Sequence, residues 1–411
     1  MNFLIINHYA GAPGLGMELR PYYFGRELIK KGHKVTIIAS AFSHYRTVQP
    51  DISRQLNKET IDGIDYIWIK TPVYKKNNLK RFYNILVFVL KLFWFKKSIN
   101  HDSHFDIVIS SSTYPLDIYP SRRFAKKHSA KHIFEVHDLW PLSPIVLGGM
   151  SKWNPFIIMM QIAENYAYSR CDDVISLLEN AKDHMVEHGL EPSKFNYLPN
   201  GVNPGEWSDR PDNDTTEQSE KIKRFKKKYK TVIGYTGAIG PANAMKTFIE
   251  AANILKDESF GFVLVGKGQE REYLVKMSDS LKLENVIFLD PVKKEYLQSI
   301  LSLFDILYIG YKNSELYKYG VSPNKLFDYI MAARPVVFGL GYSYSIIEKT
   351  DSVHQAEPDD PGQVAELIRE IANTGTKERN KSALKSKEYI LNHYSFDVLS
   401  EKLLSIAVSE K

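Results

Sequence analysis

Short, mainly apolar runs, bounded by glycine, proline or polar residues, recur along the chain and alternate with stretches of helical spacing. In the first half they are Phe3 to Ile6, Val35 to Ala39, Phe105 to Ser112, His132 to Val136 and Asp172 to Leu177. In the second half they are Thr231 to Thr236, Phe262 to Val265, Val286 to Leu289, Asp305 to Ile309 and Val336 to Phe338. Runs of this length without polar alternation read as strands of a parallel sheet covered on both faces. Helices are predicted from about Arg20 to Lys31, Pro155 to Ser169, Glu179 to His188 and up to Leu255. The alternation predicts an α/β protein with two doubly wound sheets, and 411 residues exceed one ordinary domain. The first domain is predicted over residues 1–203 and the second over 231–390. The polar, charged, proline-marked stretch 204–230 reads as a solvated linker.

The most informative stretch runs from Tyr319 to Val337. Gly320 to Pro323 is a stiff turn, Pro323 suits a first helical turn, and Leu326, Phe327, Ile330 and Met331 recur at helical spacing. A helix mouth after a tight loop offers unpaired amides and partial positive charge, which suits a diphosphate. Ser322, Pro323 and Asn324 lie at that mouth, and Lys325 adds a full charge. Asp328, one turn further in, either accepts hydrogen bonds from sugar hydroxyls or complements the helix dipole.

Polar residues at the carboxyl ends of parallel strands are well sited for ligands. His137, Asp138 and Trp140 follow one such strand. Gly11, Gly14 and Gly16 follow the first strand, but their spacing is not the dinucleotide fingerprint and no acidic residue ends the second strand, so NAD is not expected. Those glycines serve either a ligand or the loop's own backbone.

One cysteine, Cys171, leaves no internal disulfide and fits a reducing compartment, and no signal peptide is read at the start. The net charge of +6 favours anionic partners. Part of it sits on the aromatic-rich helix predicted over residues 80–97, whose apolar portion is shorter than the roughly 20 residues a bilayer span needs. Lys80, Arg81, Lys96 and Lys97 flank Phe82, Phe88, Phe93 and Trp94, the profile of a helix lying on an anionic membrane surface. A core helix with a basic start is the competing reading.

Asp328 to Val337, Asp-Tyr-Ile-Met-Ala-Ala-Arg-Pro-Val-Val, resembles the Glu-Ala-Met-Ala-x-Gly-x-Pro-Val-Val signature of the retaining GT-B glycosyltransferases of family 4. Asp328 matches the second Glu of that family's Glu-x7-Glu motif, and Gly320 stands where the first belongs. Ser322 to Tyr329 is similar to a bacterial O-antigen and capsule subgroup that includes N-acetylfucosamine transferases. The resemblance implies a GT-B fold, two Rossmann-like domains facing across a cleft, with residues 391–411 returning to the first domain. It implies a UDP-sugar donor on the second domain, contacted by Gly16, Gly240, Asn243, Lys267, Val292, Ser322, Pro323, Asn324, Lys325 and Asp328. The family's diphosphate-binding Arg and Lys are replaced near Ala238 and Asn243, so Lys325, Lys267 and backbone amides are expected to stand in. His137, Asp138 and Lys325 would be the catalytic group, and Gly14, Glu18, Arg20 and Trp140 would meet the acceptor.

The implied reaction is retaining transfer of a sugar, in this subgroup an N-acetylated deoxy-amino sugar, to a polyprenyl-diphosphate-linked glycan for surface polysaccharide. It would take place on the cytoplasmic face of the bacterial plasma membrane, with the protein peripherally attached. No Asp-x-Asp pair in strand context and no cysteine or histidine cluster at ligand spacing suggests a divalent ion, so neither metal nor cofactor is expected. The alternatives are a sugar-nucleotide epimerase of the same fold and a basic nucleic-acid-binding protein. The latter lacks a helix-turn-helix, zinc ligands and an aromatic sheet motif.

Overall fold

The computed structural model describes residues 1–74, 79–99, 104–207 and 216–409. The chain divides into two compact units, one of Met1–Asn200, Lys318–Val321 and Phe396–Lys411, the other of Gly201–Tyr317 and Ser322–Ser395.

The first unit holds an eight-stranded sheet of β1 (Asn2–Ile6), β2 (Lys34–Ser40), β3 (Leu56–Ile61), β4 (Ile64–Ile69), β5 (Ile107–Ser110), β6 (Lys131–Val136), β7 (Asp173–Ser176) and β8 (Phe195–Tyr197). Their order is β3-β4-β2-β1-β5-β6-β7-β8. All neighbours are parallel except β3 and β4, a hairpin closed by Asp62 and Gly63, both at positive φ (49° and 82°). Successive side chains of a strand point to opposite faces. Phe3 and Ile5 accordingly join one buried layer with Ile37, Trp68 and Ile109, while Leu4 and Ile6 join the other with Ile38, Phe88 and Val108. The last helix, Phe396–Val408, closes the first layer with Phe396, Leu399 and Leu403, and the Phe396 ring stacks on Tyr23 at 4.7 Å.

The second unit holds a six-stranded, wholly parallel sheet of β9 (Thr231–Thr236), β10 (Phe260–Val265), β11 (Val286–Leu289), β12 (Ile306–Gly310), β13 (Val336–Gly339) and β14 (Val353–Ala356). The order is β11-β10-β9-β12-β13-β14. In each sheet the winding reverses beside the first strand of its unit, β1 or β9, which is where α/β sheets open crevices for ligands. Both units are thus the doubly wound, Rossmann-like α/β domains that the apolar runs predict.

Two helices differ from their sequence reading. Leu79–Trp94 buries Ile85, Phe88, Val89 and Leu92, so Phe88, fully buried against the sheet, is a core residue and not a membrane contact. Helix Glu217–Lys226 buries Ile222 and Phe225, and its Lys226 Nζ donates to Asp305 Oδ1 at 2.8 Å and to the Leu303 carbonyl at 2.8 Å. It is packed onto the second unit, and residues 208–215 of the predicted linker lie outside the described residues. Among the described residues no helix is long and apolar enough to cross a membrane.

Candidate active site

Pro323, in an extended conformation (φ −74°, ψ 126°), starts helix Asn324–Met331, and no side chain caps it. The Leu326 amide donates to the Pro323 carbonyl at 3.1 Å, which leaves the amides of Asn324 and Lys325 with capacity for an external acceptor. The helix is fastened to β9 by Tyr329, whose hydroxyl accepts from the Thr236 amide at 2.8 Å. Lys325 leans across the glycine that follows β9. A Cβ on Gly237 would sit 2.4 Å from Lys325 Cε, and Gly237 has a φ of 137°, so the lysine's path requires glycine there. Lys325 Nζ donates to Asn243 Oδ1 at 3.1 Å and lies 5.1 Å from the centre of the Tyr235 ring. Burial pushes its pKa down to about 8. A lysine kept partly dry beside free helix amides is poised to gain from an arriving anion.

Asp328 lies half-buried one turn in. Burial pushes its carboxyl up to about 7, with Lys294 opposing, Glu206 adding to the rise and Lys325 opposing. A carboxyl near neutrality can accept or donate to a hydroxyl-bearing ligand. Around this mouth, Gly240 and Asn243 belong to the loop after β9, and the Asn243 side-chain amide donates to the Ala238 carbonyl at 3.1 Å. Lys267 follows β10 with its side chain exposed, and its carbonyl accepts from the Ile239 amide at 2.9 Å, tying the two loops together. Val292 follows β11, one strand further out, and is half-buried. Ser322 and Pro323 are half-buried, and Asn324 is exposed.

Gly320, where the resemblance expects a glutamate, has a φ of 124°, and a Cβ there would lie 2.8 Å from the Glu179 amide nitrogen and 3.0 Å from Leu178 Cα. Backbone cannot yield as a flexible side chain does. The missing carboxylate is a packing requirement of this chain.

In the first unit, His137 and Asp138 leave the end of β6 and line a small cavity with Thr113, Trp140, Glu164 and Tyr168. His137 Nε2 is 3.0 Å from Ser111 Oγ and 3.2 Å from Glu135 Oε2. Burial works against ionisation of Glu135, yet the Arg20 guanidinium, with His137 and Ser111, holds its carboxyl well below the usual range. Asp138 is pushed up by burial, against hydrogen bonds from Ser143 (2.5 Å) and the Leu139 amide (2.9 Å). The imidazole is thus held from behind by a fixed anion, an arrangement that orients it.

Arg20 corrects the sequence reading. It is 2% exposed, contacts Glu135 Oε1 at 2.9 Å, and donates to the carbonyls of Leu198 (2.8 Å) and Pro199 (2.5 Å). It is an internal strut and is not available to an acceptor. Gly14 is exposed, Gly16 and Glu18 are half-buried, and Gly14 and Gly16 have positive φ (79° and 105°). Of the residues assigned to the membrane, Arg81 turns inward, its Nε donating to the Tyr9 hydroxyl at 3.2 Å and its guanidinium lying over the Trp140 ring. Phe82 packs edge-on against Phe156, Phe93 lies under Arg123, and Lys80 and Trp94 are exposed. The side chains of Lys96 and Lys97 lie outside the described residues. Sequence reasoning missed Glu135, Ser111 and Gly237. A buried-run glutamate between Phe134 and Val136, near the carboxyl end of a strand, was the available signal for the first.

Two Rossmann-like α/β domains in one chain define the GT-B class, and the comparisons agree with it. Residues 15–206 match the family model described as Glycosyltransferase Family 4, and residues 230–374 match that of Glycosyl transferases group 1. The two matches, both to glycosyltransferase models, run in tandem over most of the chain. A relative in Escherichia coli (strain K12), named as a colanic acid biosynthesis glycosyl transferase, WcaI, is 24% identical over 45% of this chain and 45% of its own. One in Bacillus subtilis (strain 168), named as a teichuronic acid biosynthesis glycosyltransferase, TuaH, is 29% identical over 44% and 40%. The chain thus spans less than half the length of these two relatives. Among solved structures, Anabaena Alr3699/HepE in complex with UDP and glucose is similar over 100% of both chains, with a TM-score of 0.68 at 15% identity.

Proposed function

We propose that the chain transfers a sugar, with retention of anomeric configuration, from a UDP-sugar to a lipid-diphosphate-linked glycan in the synthesis of a surface polysaccharide. The observation that carries this reading is Lys325, half-dry, laid across Gly237 beside the uncapped mouth of helix Asn324–Met331. Breaking the sugar–phosphate bond builds negative charge on the departing diphosphate, and fixed cations and amides that meet it there stabilise the transition state more than the ground state. Asp328 holds sugar or ribose hydroxyls. In the first unit, His137 positions the acceptor hydroxyl and Asp138 and Trp140 shape its surroundings. The UDP named with the Anabaena structure and the polysaccharide names of the relatives support the choice of donor and product. An N-acetylated deoxy-amino sugar is the donor sugar the sequence resemblance favours.

The lipid end of the acceptor calls for a membrane-facing surface, and helix Leu79–Trp94 carries one opposite its buried side. Leu79, Tyr83, Leu90 and Trp94 are 83%, 59%, 55% and 79% exposed and fall on one stripe at helical spacing. An amphipathic stripe of this kind beside Lys80 suits the headgroup zone of an anionic bilayer on the cytoplasmic side. A sugar-nucleotide epimerase acting on a soluble substrate would have no use for it.

The test is a panel of nucleotide sugars screened for thermal stabilisation, followed by transfer assays with a lipid-linked acceptor in vesicles. Stabilisation by a UDP-sugar and its turnover only with acceptor present is the outcome this reading requires. UDP-sugar isomerisation without acceptor would replace it with the epimerase. Sedimentation with phosphatidylglycerol vesicles should drop in Leu90→Glu, Trp94→Glu, and unchanged partitioning removes the membrane surface from the reading.

A further inference from the structure

Against the wall of the His137 cavity, helix Pro155–Arg170 and the short helix Lys182–Glu187 of the first unit bring three chemically matched side chains together. Glu164 is 2% exposed and His184 6%, while His188 is half-buried at the end of the second helix. The two histidines are four positions apart, so their rings share a helix face, with centroids 4.5 Å apart. One ligand atom from each of Glu164, His184 and His188 lies within 4.8 Å of the other two.

The hydrogen bonding around them is incomplete at one place. Glu164 Oε1 accepts from the Tyr168 hydroxyl at 3.0 Å and Oε2 from the Gln161 amide at 2.8 Å. His188 Nδ1 lies 3.2 Å from Asn165 Oδ1 and 3.1 Å from Gln161 Nε2. His184 Nε2 is different: it is buried, has no hydrogen-bond partner, and points at Glu164 Oε1 from 3.7 Å, beyond hydrogen-bonding reach. Buried polar atoms are normally paired, so an imidazole nitrogen left facing a buried carboxylate asks for something between them.

We propose that Glu164, His184 and His188 form a binding site for a divalent transition-metal ion, with zinc its occupant. Two imidazoles and one carboxylate are a donor set zinc takes, and magnesium and calcium prefer oxygen donors throughout. Tyr168 and Gln161 already hold the Glu164 carboxylate in place, and Asn165 and Gln161 stand against the His188 ring, the kind of outer hydrogen bonds that metal sites use. The ion would clip the two helices together. Glu164 and Tyr168 also line the cavity behind His137 and Asp138, so the clip would brace that cavity's wall. The role assigned to the ion is structural, and the sugar-transfer reading stands or falls separately.

The test uses the full, tag-free chain, stripped with a chelator and titrated with zinc chloride by calorimetry, with cobalt(II) absorption as a second readout. One zinc per chain, a raised melting temperature, and the visible bands of a nitrogen-ligated, low-coordinate cobalt centre are expected, with no effect of magnesium. His188→Ala, at a half-buried position, should melt like the stripped parent and weaken zinc binding by at least about 10-fold. His393→Ala, exposed in the second unit, should bind as the parent does. Absence of saturable zinc uptake, an octahedral aqueous cobalt spectrum, or equal affinity in His188→Ala overturns the proposal.

Discussion

Replacing Lys325 with methionine keeps the length of the side chain and removes its charge, and the structure fixes the sign of two separate effects. Burial lowers the lysine from 10.5 to about 8. At roughly 1.4 kcal/mol per pKa unit, holding it charged costs the unliganded protein about 3 kcal/mol at pH 7. The variant is relieved of that cost and loses the hydrogen bond to Asn243, about 1 kcal/mol, so it should be more stable by about 2 kcal/mol. The folded-state pKa lies below the unfolded one, so the unfolded chain holds this proton more tightly. The penalty is therefore full below pH 8 and fades as pH rises towards 10.5, and the gap between parent and variant should close over that window. UDP binding should move the other way, weakening by about 10- to 100-fold for the loss of one charge-assisted contact of about 1.5–3 kcal/mol. Melting curves from pH 7 to 10 and UDP titration calorimetry at pH 7 separate the two effects. A variant that melts lower than the parent and binds UDP equally well would make Lys325 a structural residue and refute the reasoning.

The parent's UDP affinity should fall as pH rises through about 8, where Lys325 gives up its proton, and stay flat in Lys325→Met; parallel profiles by calorimetry would exclude the lysine as the cause. Gly320→Ala forces a Cβ against the Leu178–Glu179 backbone at a φ of 124°, so a loss of about 1–3 kcal/mol is expected in denaturant melts, and a neutral result would show that the loop gives way. Glu135→Gln leaves the buried Arg20 without its counter-charge and should cost about 3–5 kcal/mol in the same assay. A shift under about 1 kcal/mol there would mean that water or the Leu198 and Pro199 carbonyls are enough for the guanidinium.

Strands were legible wherever burial on both faces wrote a short, mainly apolar run with no polar alternation: β1, β2, β5 to β7 and β9 to β13 all follow from such runs. The hairpin of β3 and β4 was not, because Leu56–Ile61 is a largely exposed edge strand with polar residues, although Asp62-Gly63 is a hairpin signal in its own right. Helix Leu79–Trp94 is apolar on two opposite faces. Composition therefore could not tell that Phe88 and Leu92 face the sheet while Leu79, Tyr83 and Trp94 face outward.

Site residues show the same division. Lys325 and His137 stand at a helix mouth and a strand end, positions that pattern alone can find. Arg20 was read as the start of a helix and as an acceptor contact, and only the fold brings Glu135 and the Leu198 carbonyl to it from more than a hundred residues away. The expectation that no histidine cluster stands at ligand spacing is corrected in the same way. His184 and His188 are four apart in sequence, but Glu164 reaches them from a different helix.

A crystal of the protein grown with UDP would be decisive for the donor site. The diphosphate should lie against the amides of Asn324 and Lys325 with an oxygen about 3 Å from Lys325 Nζ, the ordinary distance of a charge-assisted hydrogen bond. Nucleotide density anywhere else, with the mouth of this helix left to solvent, would contradict the account.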